Sequence, residues 1–209
     1  MTPTMIRIFI LLVFIFTPLG ASAKQTILIV GDSLSAAYGL KQSEGWVNLL
    51  QNKFDQEQHA IELINVSVSG QTTGNALLTL NEHLKRYQPS HVLIELGAND
   101  GLRGFPIKQI KQDLKQLVET SQATGAHVAV MEIQIPPNLG PRYTSLFTAV
   151  FSETTQKTNT TLMPFFMLAV AGNPELIQND NLHPNLQAQP IIRDFMAKEI
   201  TIWLEKTAP

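Results

Sequence analysis

The sequence predicts an α/β domain built on a parallel sheet covered on both faces, and three observations carry that prediction. Short β-prone runs alternate with longer segments whose apolar residues recur at helical spacing. The alternation persists through four successive crossovers, the pattern of strands joined by helices. The first three runs each end in a cluster of small and polar residues, as ligand-binding sheets do at the carboxyl ends of their strands.

Taken in order, Thr26–Val30 reads as the first strand and runs into Gly31-Asp32-Ser33-Leu34, a tight turn with a helix start behind it. Trp46, Leu49, Leu50 and Phe54 lie at helical spacing, with Glu44-Gly45 opening that helix. Ile61–Val66 is a second strand, ending at Ser67-Val68-Ser69-Gly70. Leu77, Leu80, Leu84 and Tyr87 mark a second helix that closes near Pro89. His91–Leu96 is a third strand and runs into Gly97-Ala98-Asn99-Asp100-Gly101. Ile107, Ile110, Leu114, Leu117 and Val118 share one face of a third helix, with Gly125 beyond its end. Val128–Ile133 is the fourth strand, Tyr143–Lys157 a helix, Thr161–Phe166 a short fifth strand, and Gln187–Lys206 a last helix with Pro190 in or near its first turn.

The amino terminus is a separate object. Arg7 precedes nine uninterrupted apolar residues, Ile8–Phe16, followed by Pro18, Gly20 and Ala21-Ser22-Ala23. A positive flank, a short apolar run and a small-x-small site are the parts of a signal peptide. At about 1.5 Å per residue such a run cannot cross a hydrocarbon core of roughly 30 Å. The expected division is therefore residues 1–23 as signal peptide, cleaved after Ala23, and residues 24–209 as one mature domain. That domain is periplasmic or secreted, with no integral membrane segment after processing.

Composition narrows the function. The formal charge of −2 and the absence of any basic block give no footprint for nucleic acid. The chain has no cysteine, which removes disulfides, thiolate metal sites and cysteine nucleophiles. His59, His83, His91 and His127 lack metal-ligand spacing, so neither a metal nor another cofactor is expected.

Ser33, at the carboxyl end of a strand and the start of a helix, is a candidate nucleophile, although serine is also an ordinary helix cap. An acyl-transferring serine needs a base, a group to orient that base, and donors for the oxyanion. Asp180-x-x-His183 can supply the base and its orienter if a short turn brings the carboxylate to the imidazole. The Ser33 and Gly70 backbone N–H groups and the Asn99 amide are candidate oxyanion donors; a turn glycine and an Asx-turn asparagine are the alternative readings of the last two. Asp32 is expected to accept hydrogen bonds from its own loop rather than to serve as the acid of a triad, and nothing pairs Glu95 or Glu132 as an acid/base couple. No G-x-S-x-G surrounds Ser33, against an α/β-hydrolase fold.

Gly31-Asp32-Ser33-Leu34, Gly70 within SVSGQTT, Gly97-x-Asn99-Asp100 and Asp180-x-x-His183 resemble the four signature blocks of the SGNH, or GDSL, hydrolases. IELGANDGLRGFP, QIPPNLGPRYT and HPNLQAQP resemble, more narrowly, the secreted bacterial thioesterase, lysophospholipase and arylesterase group. The resemblance implies a flavodoxin-like, three-layer α/β/α sandwich on a five-stranded parallel sheet. It also implies Ser33 as nucleophile, His183 as base, Asp180 as its orienter, and Ser33, Gly70 and Asn99 as the oxyanion hole; a monomer is expected separately. Asn181 stands where that group commonly has glycine.

The implied activity is hydrolysis of acyl esters, thioesters or lysophospholipids through an acyl-enzyme. A carbohydrate O-acetylesterase and a non-catalytic periplasmic lipid-binding module are the alternatives. After Asn99, the glycines flanking Leu102 suggest a hinged loop; Leu102 and Phe105 from that loop, with Pro136 and Tyr143 from the segment 135–143, are expected to wall an apolar acyl groove.

Overall fold

The computed structural model describes residues 24–208. Five strands, β1 (Gln25–Gly31), β2 (Ile61–Asn65), β3 (His91–Glu95), β4 (His127–Met131) and β5 (Thr161–Met163), form one sheet in the order β2-β1-β3-β4-β5. Every pairing is parallel. Six helices surround it: α1 (Trp46–Gln56), α2 (Thr73–Tyr87), α3 (Ala98–Leu102), α4 (Ile107–Gln122), α5 (Pro141–Thr158) and α6 (Gln189–Thr207).

The layers follow from strand order. The chain steps from β1 outward to β2, then crosses back over β1 to β3 and continues the other way. With right-handed crossovers that reversal puts α1 on one face, where it packs on α6, and α2, α4 and α5 side by side on the other. Central strands are therefore buried on both faces: Ile27–Gly31 and all of β3 are inaccessible, while the edge strands β2 and β5 are mostly half-buried. Trp46, Phe54, Phe147, Phe151, Phe166 and Trp203 are the largest fully buried side chains and fill the two helix–sheet layers. No helix among the described residues is long and apolar enough to cross a membrane. Residues 1–23, expected to be a signal peptide, lie outside the described residues.

The sheet is the expected one, and the differences are local. The helix start expected behind Ser33 is a single turn, with the Ala36 N–H on the Asp32 carbonyl at 2.9 Å, broken when Ala37 adopts φ +59° and Gly39 φ +77°. Residues 42–44 then form a 3-10 turn that leads into α1 at Trp46. The fifth strand stops at Met163 rather than Phe166. Its last rung is the Glu132 N–H on the Met163 carbonyl, and Pro164, which has no N–H, follows. Residues 166–169 coil into a 3-10 turn instead. The segment after β3, expected to be a polar loop with hinges, is helical at Ala98–Leu102.

Gly101 lies inside that helix, and a Cβ there would stand 2.7 Å from Phe147 Cε2 and 3.1 Å from Ile135 Cδ1. Its lack of a side chain lets α3 press against α5. It is a packing position, not the hinge the sequence suggested.

Candidate active site

The order reversal between β1 and β3 creates a crevice at their carboxyl ends, the place where open parallel sheets bind ligands. The turn after β1 carries Ser33, the turn after β2 carries Ser69 and Gly70, α3 carries Asn99, and the loop before α6 carries Asp180 and His183. Ser33, Ser69, Gly70, Asn99 and His183 line one cleft of about 220 Å³ there.

His183 Nε2 lies 2.9 Å from Ser33 Oγ, across 150 residues of sequence. Its Nδ1 lies 2.6 Å from Asp180 Oδ2. Asp180 Oδ1 accepts the backbone N–H groups of Leu182 and His183, both at 3.0 Å, so one carboxylate fixes the turn and the ring together. Asn181 sits at φ +58°, a left-handed angle that asparagine tolerates, and the turn closes through the Asn181 N–H on the Gln178 carbonyl at 3.0 Å. Burial by itself would raise the Asp180 carboxyl; the hydrogen bonds from the His183 amide and ring and the Leu182 amide outweigh it and bring the pKa down to about 2. A carboxylate that stays ionised beside Nδ1 favours the tautomer that leaves Nε2 free to accept the Ser33 proton.

Two residues that the sequence did not flag tie this turn to the serine. Tyr38 lays its ring against His183, centroids 4.3 Å apart, and its N–H reaches the Ser33 carbonyl at 3.2 Å. Gln178 donates from Nε2 to the Tyr38 carbonyl at 2.8 Å. Its Oε1 occupies the space a Cβ at Gly39 would need, 2.4 Å away. These contacts form only once the turn after β1 and the loop before α6 are side by side, so no local pattern could have pointed to them.

On the opposite wall, Asn99 Nδ2 donates to Asp32 Oδ2 at 3.1 Å. The backbone N–H groups of Ser33 and Gly70 have no partner among the described residues. Gly70, at φ +80°, is held through its carbonyl by Arg103 Nη2 at 3.2 Å. Asp100 accepts from the Thr73 N–H at 3.0 Å and the Thr73 hydroxyl at 2.6 Å, fixing α3 against the start of α2 just beyond Gly70.

Asp32 is fully buried and accepts the Leu34 N–H at 3.0 Å, the loop-acceptor geometry expected of it. Burial pushes its carboxyl up to about 6, against the lowering by the Leu34 and Asn99 donors. Beneath it Glu95, also fully buried, accepts the Ser35 hydroxyl at 2.7 Å and is raised well above the ordinary carboxyl range by burial and by the Asp32 charge. Glu95 thus sits under the cleft with one carboxylate oxygen 3.4 Å from the Asp32 backbone nitrogen, a placement that its position in an apolar strand concealed.

A second cavity of about 240 Å³ adjoins the cleft and shares Leu34, Ala98, Leu102 and Leu182 with it. Gln134, Ile135, Pro136, Phe165, Met167 and Leu168 complete most of its wall. Leu102 and Pro136, two of the four residues expected to wall an acyl groove, line it. Phe105 and Tyr143 do not line either cavity; both pack against the core, and the Tyr143 hydroxyl donates to the Phe105 carbonyl at 2.7 Å, pinning the loop from behind. Among the described residues no group of three His, Asp or Glu side chains is placed to hold a metal ion.

A serine, an imidazole and a carboxylate in hydrogen-bonded series, beside free backbone donors, can carry out nucleophilic acyl transfer. A sequence model of the GDSL-like lipase/acylhydrolase family matches residues 29–189. The chain belongs to that family. It is 40% identical over 196 residues to an arylesterase of Vibrio mimicus, covering 94% of this chain and 98% of that one. It is 42% identical over 180 residues to thioesterase 1/protease 1/lysophospholipase L1 of Escherichia coli K12, covering 86% and 85%. Among solved structures, the psychrotrophic esterase EstA of a Pseudoalteromonas species, inhibited by monoethylphosphonate, superimposes with a TM-score of 0.86 at 59% identity, over 87% of this chain and 99% of that one.

Proposed function

We propose that this member of the family is an exported serine esterase and thioesterase that cleaves carboxylic acyl groups through a covalent acyl-enzyme. The observation that carries the reading is the unbroken series from Ser33 Oγ to His183 Nε2 and from His183 Nδ1 to Asp180, at 2.9 and 2.6 Å. Ser33 Oγ attacks the acyl carbon while His183 takes its proton. The carbonyl oxygen becomes an oxyanion that the Ser33 and Gly70 N–H groups and the Asn99 amide receive. The tetrahedral adduct collapses as His183 returns the proton to the departing alkoxide or thiolate. Water, deprotonated by the same imidazole, then releases the carboxylic acid and regenerates Ser33. Each residue acts as drawn without a cofactor.

The substrate class is supported by the adjoining apolar cavity and by the arylesterase, thioesterase and lysophospholipase names of the relatives. An acyl tail laid from Ser33 past Leu102 toward Pro136 would bury its methylenes, each contributing up to about 0.8 kcal/mol, and kcat/KM would rise from acetyl to medium chains. The apolar wall disfavours the carbohydrate O-acetylesterase reading, which needs polar partners for a sugar. The working form is a monomer that meets its substrate after export, with residues 1–23 removed.

Labelling with an organophosphate tests the chemistry. One adduct is expected, on Ser33, and none on Ser33→Ala; an unlabelled wild-type chain would move the protein to the class of lipid-binding modules. Amino-terminal sequencing of the exported protein should read Lys24-Gln25, and an intact Met1 would defeat the export reading.

A further inference from the structure

Nine large apolar side chains are exposed among the described residues, and they are not spread evenly. Six of them, Tyr38, Val68, Leu139, Leu168, Leu182 and Leu186, come from the segments that follow the carboxyl ends of the strands, the edge at which the cleft opens. The connections at the other edge of the sheet, residues 57–60, 88–90, 123–126 and 159–160, contribute none. Tyr38 and Leu182 line the cleft, and Leu182 and Leu168 line the apolar cavity beside it. Val68 precedes Gly70 by two residues, and the space at Gly104, two residues past Leu102, is bordered by Leu139 Cδ1 at 3.9 Å. Three members of this rim, Tyr38, Leu168 and Leu182, thus belong both to the exposed edge and to the lining of the cleft or the cavity.

The charges on this edge select what that surface can meet. Its segments and the first turns of the helices that follow them carry four cationic side chains, Lys41, Arg103, Lys108 and Arg142, against Glu44, Glu132, Glu175 and Asp180, with Asp32 and Asp100 buried below. A face that is apolar and balanced in charge gains little from an anionic surface, where clusters of basic residues supply the attraction. It fits an interface whose headgroups are zwitterionic or neutral, into which the exposed side chains can insert.

We infer that the rim formed by Tyr38, Val68, Leu139, Leu168 and Leu182 docks the enzyme, cleft first, on the surface of a zwitterionic lipid assembly, so that an acyl chain passes from that surface into the cavity without crossing water. This rests on the acyl-hydrolase reading for its purpose, but the docking can be measured without the chemistry.

The test uses the mature chain carrying Ser33→Ala, which removes the nucleophile and leaves the rim intact, and co-sedimentation with phosphatidylcholine vesicles in 0.05 and 0.5 M salt. Binding should be present and insensitive to salt. Adding Val68→Ser and Leu139→Ser, neither of which lines the cleft or the cavity, should weaken it on the order of tenfold or more. In the otherwise wild-type chain the same pair should leave kcat/KM for a short, monomeric p-nitrophenyl ester unchanged, which also shows that the variant is folded. Absence of vesicle binding, binding that requires anionic lipid and disappears in salt, or binding that survives the serine substitutions would each overturn the inference. Failure of the organophosphate to label Ser33 would instead defeat the chemistry and leave the vesicle result standing.

Discussion

Replacing Asn99 by alanine should damage catalysis and stability together, and by separable amounts. Asn99 Nδ2 gives one N–H to Asp32 at 3.1 Å, and its second N–H is the one proposed above to receive the substrate oxygen. Loss of an oxyanion donor acts on the transition state, so kcat should fall about 10²- to 10³-fold with KM little changed. The same substitution strips a donor from a fully buried carboxylate, a cost of roughly 1–3 kcal/mol, which for a domain of this size lowers Tm by about 3–10 °C. The pH dependence has a definite sign. Asp32 is raised from 3.8 to about 6 in the fold, first by burial, so the wild type loses stability as pH climbs through that window and the carboxyl ionises. Without Asn99 the folded pKa rises further, and the loss continues above 6. The variant should therefore lie closer to wild type in Tm at pH 5 than at pH 8. Steady-state kinetics on a p-nitrophenyl ester and thermal melts at the two pH values measure both effects. A raised KM with kcat intact would make Asn99 a ground-state contact, and an equal Tm loss at both pH values would mean that the Asp32 charge plays no part in the bond.

Two further substitutions probe the frame around the site. Gly101→Ala replaces a helical glycine, a change that by propensity alone would stabilise by about 1 kcal/mol, yet its Cβ would stand 2.7 Å from the buried Phe147 ring. Overpacking should win, with a net loss of about 1–3 kcal/mol in urea unfolding; a gain in stability would show that α3 can move off α5 freely. His91, almost fully buried between Ser90 Oγ and Thr207 Oγ1 at 2.9 Å each and 5.1 Å from the His127 ring, has its pKa lowered to about 4, first by burial and then by the His127 charge. The unfolded chain takes up that proton near 6.5, so folding stability should drop as pH falls from about 6.5 to 4. His91→Gln should flatten that slope by up to one proton, and an unchanged slope would refute the assignment.

What local pattern can encode was legible in the sequence. Apolar runs of period two or less placed all five strands, and apolar patterning placed the four long crossover helices and the terminal one, because burial against a neighbouring layer constrains each residue through its own position on the element. Asp180 and His183 were legible as a unit because three residues are enough for one turn to join them. The single turn behind Ser33 was not, because Ala37 carries no mark of its left-handed angle, and the Gln178 side chain that packs over Gly39 and holds the Tyr38 carbonyl arrives from a distant part of the chain. Phe105 and Tyr143 read as groove residues because an aromatic beside a glycine looks the same whether it faces a ligand or the core; only α5 lying against that loop decides that they face inward. The placement of Glu95 beneath Asp32 was equally hidden. A glutamate in a strand is ordinarily a solvent-facing residue, and it is the central place of β3, flanked by β1 and β4 and covered on both faces, that denies this one water and sets it beneath the cleft.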